Sequence, residues 1–428
     1  MYRGVGVAYS SSVSPYFSST CTNSLDTMED SRLRLNQIVL WLTSPYSVAN
    51  VQKFFGIRKL KPNEVEKDED AKETTDDGQF NQSKGKDTTE DHPWRSRLKP
   101  AAESHQFHVD YAIDNWFWYG LFRFGALLGD DVFYYTFIPF WFFNVNVIVI
   151  RKVALIWATV MYVGQTSKEI LKWPRPQSPP VVPLEPRYFK EYGMPSTHAM
   201  VGVLIPFSIL FLTMDKVEYS IPIGFLVAMA WTTLVCLSRL YKGMHYILDV
   251  VVGVLLTFAL LGMVFPFLDK IDHYLMTDKQ APLLLASAIT FLSLTYPSQR
   301  GWSSTREDTI VILSVTGSIY TSLWLNNYFQ WFPDRYNDDL PSTITWPTLA
   351  QWGAMFCREF LGVAITLLVH CIIKPIMLEI LSFVYSIEIN SETKKYLSVE
   401  FPYKYVTYTV VVLVCMLVSP FVFSLVGL

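Results

Sequence analysis

The chain has 428 residues, of which 51% are hydrophobic and 15% aromatic but only 17% charged; this is too apolar for an ordinary soluble domain and points to a polytopic membrane protein. The formal net charge of −3 is small and mixed, which gives no case for nucleic-acid binding. The five cysteines, Cys21, Cys236, Cys357, Cys371 and Cys415, show no paired spacing and read as small buried hydrophobes.

Residues 1 to about 31 are Ser-rich and weakly patterned, with no basic, apolar and small-residue succession of the kind a cleaved signal peptide needs. A short amphipathic segment around Leu35 to Trp41 follows, able to lie on a membrane surface and ending near Pro45. From Lys61 to Arg97 the composition turns to Asp, Glu, Lys, Thr and Gln, which predicts a disordered acidic linker. Its sequon, Asn81-Gln82-Ser83, matters only if that segment is lumenal. Residues 1–100 are thus expected to form a polar N-terminal region, and 101–428 a membrane domain with a catalytic core at about 132–268.

Asn115 to Leu128 is half apolar, interrupted by Arg123 and short for a span of ~20 residues, so an interfacial or re-entrant helix is expected. Spans follow at about 132–150, 153–170, 199–214, 219–238, 246–268, 281–296, 308–325, 354–373 and 404–427, nine in all. Residues 374–387, after Lys374-Pro375, continue the apolar pattern as a broken extension of the eighth and could raise the count to ten. The fold class expected is an all-α transmembrane helical bundle.

Three charged clusters border these spans: K-E-I-L-K-W-P-R-P at Lys168 to Pro176, P-S-T-H at Pro195 to His198, and S-R-L-Y-K-G-M-H-Y-I-L-D at Ser238 to Asp249. Ionisable groups at membrane depth are costly and mark functional sites. The second span ends at the first cluster, the third begins at the second, and the fourth returns to the third, so all three share one membrane face.

Lys168, Arg175 and Arg239 bring three positive charges to one pocket, with Arg187, Lys190 and Lys242 nearby. Phosphate is the natural guest, because guanidinium forks and an ammonium match phosphoryl oxygens. Ser196 can add a hydroxyl, and the start of the third span free N–H groups. His245 and Asp249, four apart, would share a helical face, with the carboxylate orienting the imidazole as a nucleophile. His198, from the opposite wall, is placed to protonate the leaving alkoxide and later to activate water. Taken singly, Lys172, Arg187, Lys190 or Lys242 reads more simply as a snorkelling side chain. His105, His108, His273 and His370 read as satisfied polar residues. A metal bound by His198, His245 and Asp249 is disfavoured by three adjacent cations, so neither metal nor cofactor is expected.

These residues, K-x6-R-P, P-S-x-H and S-R-x5-H-x3-D, match the signature of the type 2 phosphatidic acid phosphatase superfamily, which includes vanadium haloperoxidases. Within it the chain resembles the sphingosine-1-phosphate phosphatases, through Thr197 in the second motif and through W-P-R-P-x-S-P-P, E-Y-G-M-P-S-T-H-A-M and G-M-H-x-I-L-D. The likeness extends loosely from about residue 37 to the C-terminus, leaving out residues 1–36 and the acidic linker. It implies phosphate binding by Lys168, Arg175, Ser196, Thr197 and Arg239, acid/base work by His198, attack by His245 and orientation by Asp249. It also implies a metal-independent enzyme of the endoplasmic reticulum membrane, its site facing the lumen, acting on sphingosine 1-phosphate and dihydrosphingosine 1-phosphate. A broad lipid phosphate phosphatase, a glucose-6-phosphatase-like enzyme and a non-catalytic lipid-binding or transport protein remain as alternatives. Lys and Arg in the short loops favour neither orientation, and the sequence names no protein partner.

Overall fold

A computed structural model describes residues 33–60, 111–185, 191–297, 302–331 and 346–428. The Ser-rich start, the acidic linker with its sequon, His105 and His108, and the cations Arg187 and Lys190 lie outside the described residues.

Twelve α-helices make up the described architecture. An exposed helix at 33–42 (α1) leads into α2 (Pro45–Phe54), whose entry is set by Pro45 in the first turn and by Ser44, which accepts the Tyr46 N–H at 3.2 Å. Two three-residue strands, β1 (Ile57–Lys59) and β2 (Tyr111–Ile113), pair antiparallel with Ile57 opposite Ile113. The remaining helices are α3 (Trp116–Leu127), α4 (Asp131–Asn144), α5 (Val147–Leu171), α6 (Thr197–Thr213), α7 (Ile221–Tyr241), α8 (Ile247–Thr277), α9 (Ala281–Leu294), α10 (Ser304–Phe329), α11 (Leu349–Tyr385) and α12 (Leu397–Val426). A short 3₁₀ turn, Thr393–Lys395, precedes α12.

Eight of the nine expected spans each fall on one helix, from α5 to α12, and the first falls mainly on α4. Six of these, α5, α7, α8, α10, α11 and α12, are long and apolar enough to cross a membrane; α6 and α9 are shorter apolar helices. Two boundaries differ from the sequence reading. The first expected span, 132–150, is divided at Val145 and Asn146, because the Asn146 side chain accepts the Val149 N–H at 2.9 Å and caps α5. Residues 374–385 do not form a separate or broken piece: α11 runs unbroken through Pro375 for 37 residues. At 12 residues, α3 is roughly 18 Å long and cannot cross a hydrocarbon core of ~30 Å. It instead packs on α7, where a side chain at Gly125 would meet Leu234 at 2.8 Å.

Helices α5 and α10 form the centre, with most of their apolar length buried, whereas α11, almost wholly uncovered, is a rim helix. The main core gathers Ile150, Ile156, Val160, Met200, Leu204, Leu261, Ile319 and Phe423. Close approach of α6 and α7 depends on Gly202, whose Cβ would lie 2.8 Å from Val235 and whose carbonyl accepts from Thr232 at 2.8 Å. Two buried ion pairs offset the desolvation of their charges. At one end Arg151 makes a two-point contact with Asp272 (2.9 and 2.8 Å), which also accepts from Tyr320 (2.9 Å). Near the other end Arg306 of α10 donates to Glu400 of α12 at 2.8 Å. The four cysteines among the described residues are all free thiols.

The N-terminal elements dock at the end of the bundle where α5 and α7 finish. Gln52, 2% exposed, donates to the carbonyls of Val182 (2.6 Å) and Tyr241 (2.9 Å) and accepts the Val182 N–H (2.9 Å). Around it Phe55, Trp118, Phe122 and Tyr241 stack edge to face or tilted. Gln52→Leu keeps the bulk but leaves these backbone groups unsatisfied, at about 1–3 kcal/mol for each. Thermal unfolding of the detergent-solubilised variant should begin several degrees lower; an unchanged midpoint would show that Gln52 does not hold the N-terminal elements in place.

Candidate active site

The three clusters meet at the end of the bundle that carries Gln52. Lys168 lies in the last turn of α5, 2% exposed, with its Nζ 3.1 Å from Thr197 Oγ1 at the start of α6. Lys172, one turn later, caps α5 in the left-handed region and is exposed, as expected of a snorkelling residue. Arg175 follows in the loop. Its Nε donates to the Glu191 carbonyl at 2.9 Å and its Nη1 to the Met244 carbonyl at 2.8 Å, which ties the first cluster to the third. Arg239, in the last turn of α7, is 2% exposed. Lys242 turns away from this group to pair with Glu185.

Ser196 is the N-cap of α6 and completely buried. Its own N–H donates to the Asp249 carbonyl at 3.0 Å, joining α6 to the first turn of α8. The first turn of α6 leaves the N–H groups of Thr197 and His198 without intrahelical acceptors, a natural anion site beside three cations. A side chain at Gly253 would meet the Ser196 carbonyl at 2.8 Å, so only glycine lets α8 pass this close.

His245 and Asp249 come together differently from the sequence reading. They do not share a helical face, because His245 precedes α8 and Asp249 is the third residue within it. Asp249 caps that helix: its Oδ2 accepts the Tyr246 N–H at 2.9 Å, which folds the His245-Tyr246 segment back over the carboxylate. Asp249 Oδ2 is then 3.5 Å from His245 Nδ1, at the margin of a hydrogen bond, and both side chains are essentially inaccessible. Burial, and next the charges of Arg175, Lys168 and Arg239, hold the His245 imidazole well below its ordinary pKa. It is therefore neutral near pH 7, with a lone pair to offer. His198, second residue of α6 and half-buried, lies within electrostatic reach of Arg239, Lys168, His245 and Arg175. Gly129 sits against it: a Cβ there would be 3.4 Å from the imidazole.

Two site residues escape a reading of the motifs. The Glu191 carboxylate lies 3.6 Å from Lys168 Nζ and 3.5 Å from Arg175 Nη2, so it occupies the cations where an anionic ligand would bind, and Ser304 of α10 donates to it at 3.0 Å. Gly193 backs onto Asp249, with a hypothetical Cβ only 2.9 Å from Oδ2 and 3.1 Å from the Pro174 carbonyl. The E-Y-G run before P-S-T-H is the sequence signal that could have flagged both. Among the described residues no group of three or more His, Cys, Asp or Glu side chains could hold a metal ion.

From this cluster a cavity of about 500 Å³ leads into the bundle. Lys168, Glu191, Thr197 and His198 line one end, and Ile138, Trp157, Met161, Val201, Val315 and Ile319 are among the apolar residues that line the remainder. His370 also faces it.

The sequence model of the PAP2 superfamily matches residues 150–272, which contain all three charged clusters together with Glu191 and Gly193. The chain is 40% identical over 318 residues to Sphingosine-1-phosphate phosphatase 2 of Homo sapiens, covering 73% of this chain and 79% of that one. It is 36% identical over 312 residues to Sphingosine-1-phosphate phosphatase 1 of Rattus norvegicus, covering 72% and 73%. A dihydrosphingosine 1-phosphate phosphatase of Schizosaccharomyces pombe is 28% identical over 212 residues, covering 47% and 51%. No solved structure matches the chain. With motif residues drawn into one cation-lined pocket, and similarity running well beyond that pocket, the chain belongs to the sphingosine-1-phosphate phosphatase family of the PAP2 superfamily.

Proposed function

We propose that this membrane phosphatase hydrolyses the phosphomonoester of sphingoid base phosphates, sphingosine 1-phosphate and dihydrosphingosine 1-phosphate, through a phosphohistidine. The observation that carries the reading is the cavity, polar and cationic at Lys168 and Thr197 and apolar along Trp157, Met161 and Val315. A phosphate on a single alkyl chain has this distribution of polarity, whereas a sugar phosphate would leave the apolar walls bare. The names of the family members supply the sphingoid base.

In the proposed reaction Lys168, Arg175 and Arg239, the Ser196 and Thr197 hydroxyls and the N–H groups that open α6 hold the phosphoryl oxygens. Incoming phosphate displaces the Glu191 carboxylate from Lys168 and Arg175. The neutral His245 imidazole attacks phosphorus, and Asp249 steadies the imidazolium that results. His198, which takes up a proton as the bound phosphate offsets the neighbouring cations, gives that proton to the leaving C1 oxygen, then takes one from the water that cleaves the phosphoenzyme, releasing phosphate and restoring both histidines. The fixed cations supply the charge stabilisation that a divalent ion gives in metallophosphatases, so no metal or other cofactor is required. The family resemblance supports an endoplasmic reticulum membrane location with the site facing the lumen.

Purified protein offered sphingosine 1-phosphate, phosphatidic acid and glucose 6-phosphate should turn over the first with the highest kcat/KM. Faster hydrolysis of phosphatidic acid would favour the broad lipid phosphate phosphatase, and of glucose 6-phosphate the sugar-phosphate enzyme. The general-acid role of His198 makes a separate prediction. A long-chain alkoxide needs a proton to leave and a stabilised phenolate does not, so His198→Ala should slow the first turnover of the lipid by roughly 10²–10⁴-fold but that of an aryl phosphate far less. Equal losses on the two substrates would remove His198 from the leaving-group step.

A further inference from the structure

The wall that α10 contributes to the cavity changes character with depth. Thr305 and Asp308 face it near the phosphate end; Val311, Ile312, Val315 and Ile319 face it further in. Steps of three and four residues place all six on one helical stripe, so a single face of α10 grades from polar to apolar. The polar end is in register with the cations. Ser304, one turn before Asp308, donates to the Glu191 carboxylate at 3.0 Å, and that carboxylate lies against Lys168 and Arg175. Asp308 is exposed and acts electrostatically on Lys168. Its neighbour Glu307 also lines the cavity, where it is paired with Lys404 of α12.

We propose that Asp308 is a specificity-determining residue that receives the 2-ammonium group of the substrate while phosphate occupies the cations. The proposal rests on the sphingoid base reading above. In such a substrate four covalent bonds separate phosphorus from the ammonium nitrogen, a reach of about 4–5 Å. One turn of α10 advances about 5.4 Å. A phosphate that takes the place of the Glu191 carboxylate beside Ser304 therefore sets the ammonium one turn along, at Asp308, with the alkyl chain on the apolar residues beyond. A carboxylate this close to an anion site weakens the binding of any phosphate through like-charge repulsion. An ammonium between the two charges cancels that repulsion, and a phosphate without one retains it, so the residue selects as much by exclusion as by attraction.

The test compares kcat/KM of the full chain for sphingosine 1-phosphate and for the same compound with hydroxyl in place of the 2-amino group. The unaltered protein should prefer the amine. In Asp308→Asn that preference should shrink about 10–100-fold, the range for one charge-assisted hydrogen bond, and Asp308→Glu should retain most of it. Asp308→Ser gives the same ratio should the Asn variant fail to fold. A preference unchanged in Asp308→Asn or Asp308→Ser overturns the role of Asp308, since a purely structural residue would alter both substrates together. Equal use of the two compounds by the unaltered protein likewise removes the role but leaves the lipid phosphatase reading standing. Hydrolysis of neither compound would remove that reading and the proposal with it.

Discussion

Three cations buried in an apolar bundle are the constraint on which the rest of this structure depends. Lys168 and Arg239 are each 2% exposed, and the Arg175 side chain 6%. Removing such charges from water costs several kcal/mol apiece unless they are paired and hydrogen-bonded. The compensation comes from far along the chain: the Glu191 carboxylate and carbonyl, the Met244 carbonyl and the Thr197 hydroxyl. No one segment holds the cations, so the loops joining α5 to α6 and α7 to α8 must close on each other before the charges are satisfied. The same closure presents the N-terminus of α6 and the His245-Asp249 pair to one point. Glu191 acts as an internal anion there, and a phosphate monoester is the ligand best able to replace it.

The parts of this arrangement that depend on local pattern were legible in the sequence. Charged clusters at span ends marked Lys168, Arg175, Ser196, Thr197, His198, Arg239, His245 and Asp249, and the parity of the spans required them to meet, as they do. What stayed hidden depends on partners distant in sequence. Gln52 reads as an unremarkable polar residue, yet it bonds backbone 130 and 189 residues away. Glu191 and Asp308 resemble loop and helix-start acids until α10 is packed beside α5. Asn146 sits within an apolar run that reads as one span, and only its side-chain cap on α5 reveals the break. Spacing of four suggested a shared helical face for His245 and Asp249. The capping contact from Asp249 to Tyr246 begins the helix two residues too late for that and still delivers the pair.

The bundle divides its labour along the chain. Helices α5 to α8, within the PAP2 match, supply the phosphate-handling groups, while α10, α11 and α12 lie beyond it and complete the cavity wall. Arg306 and Glu400 lock α10 to α12 close to the site end, so the wall is held by a buried ion pair rather than by apolar contact alone. A phosphate-transfer centre common to a superfamily can thus be joined to a substrate-shaped cavity built from separate helices, and selectivity can change without disturbing the cations.

The covalent role of His245 is the centre of the proposed reaction, and rapid quenching of the full chain with radiolabelled substrate tests it most directly. Label should appear on the protein as an acid-labile, base-stable phosphohistidine that maps to His245. It should be absent in His245→Ala and, with an aryl phosphate that needs little help in leaving, should accumulate in His198→Ala, where water is no longer activated. Label retained by His245→Ala, or found on another residue of the unaltered chain, would contradict the assignment of His245 as the nucleophile.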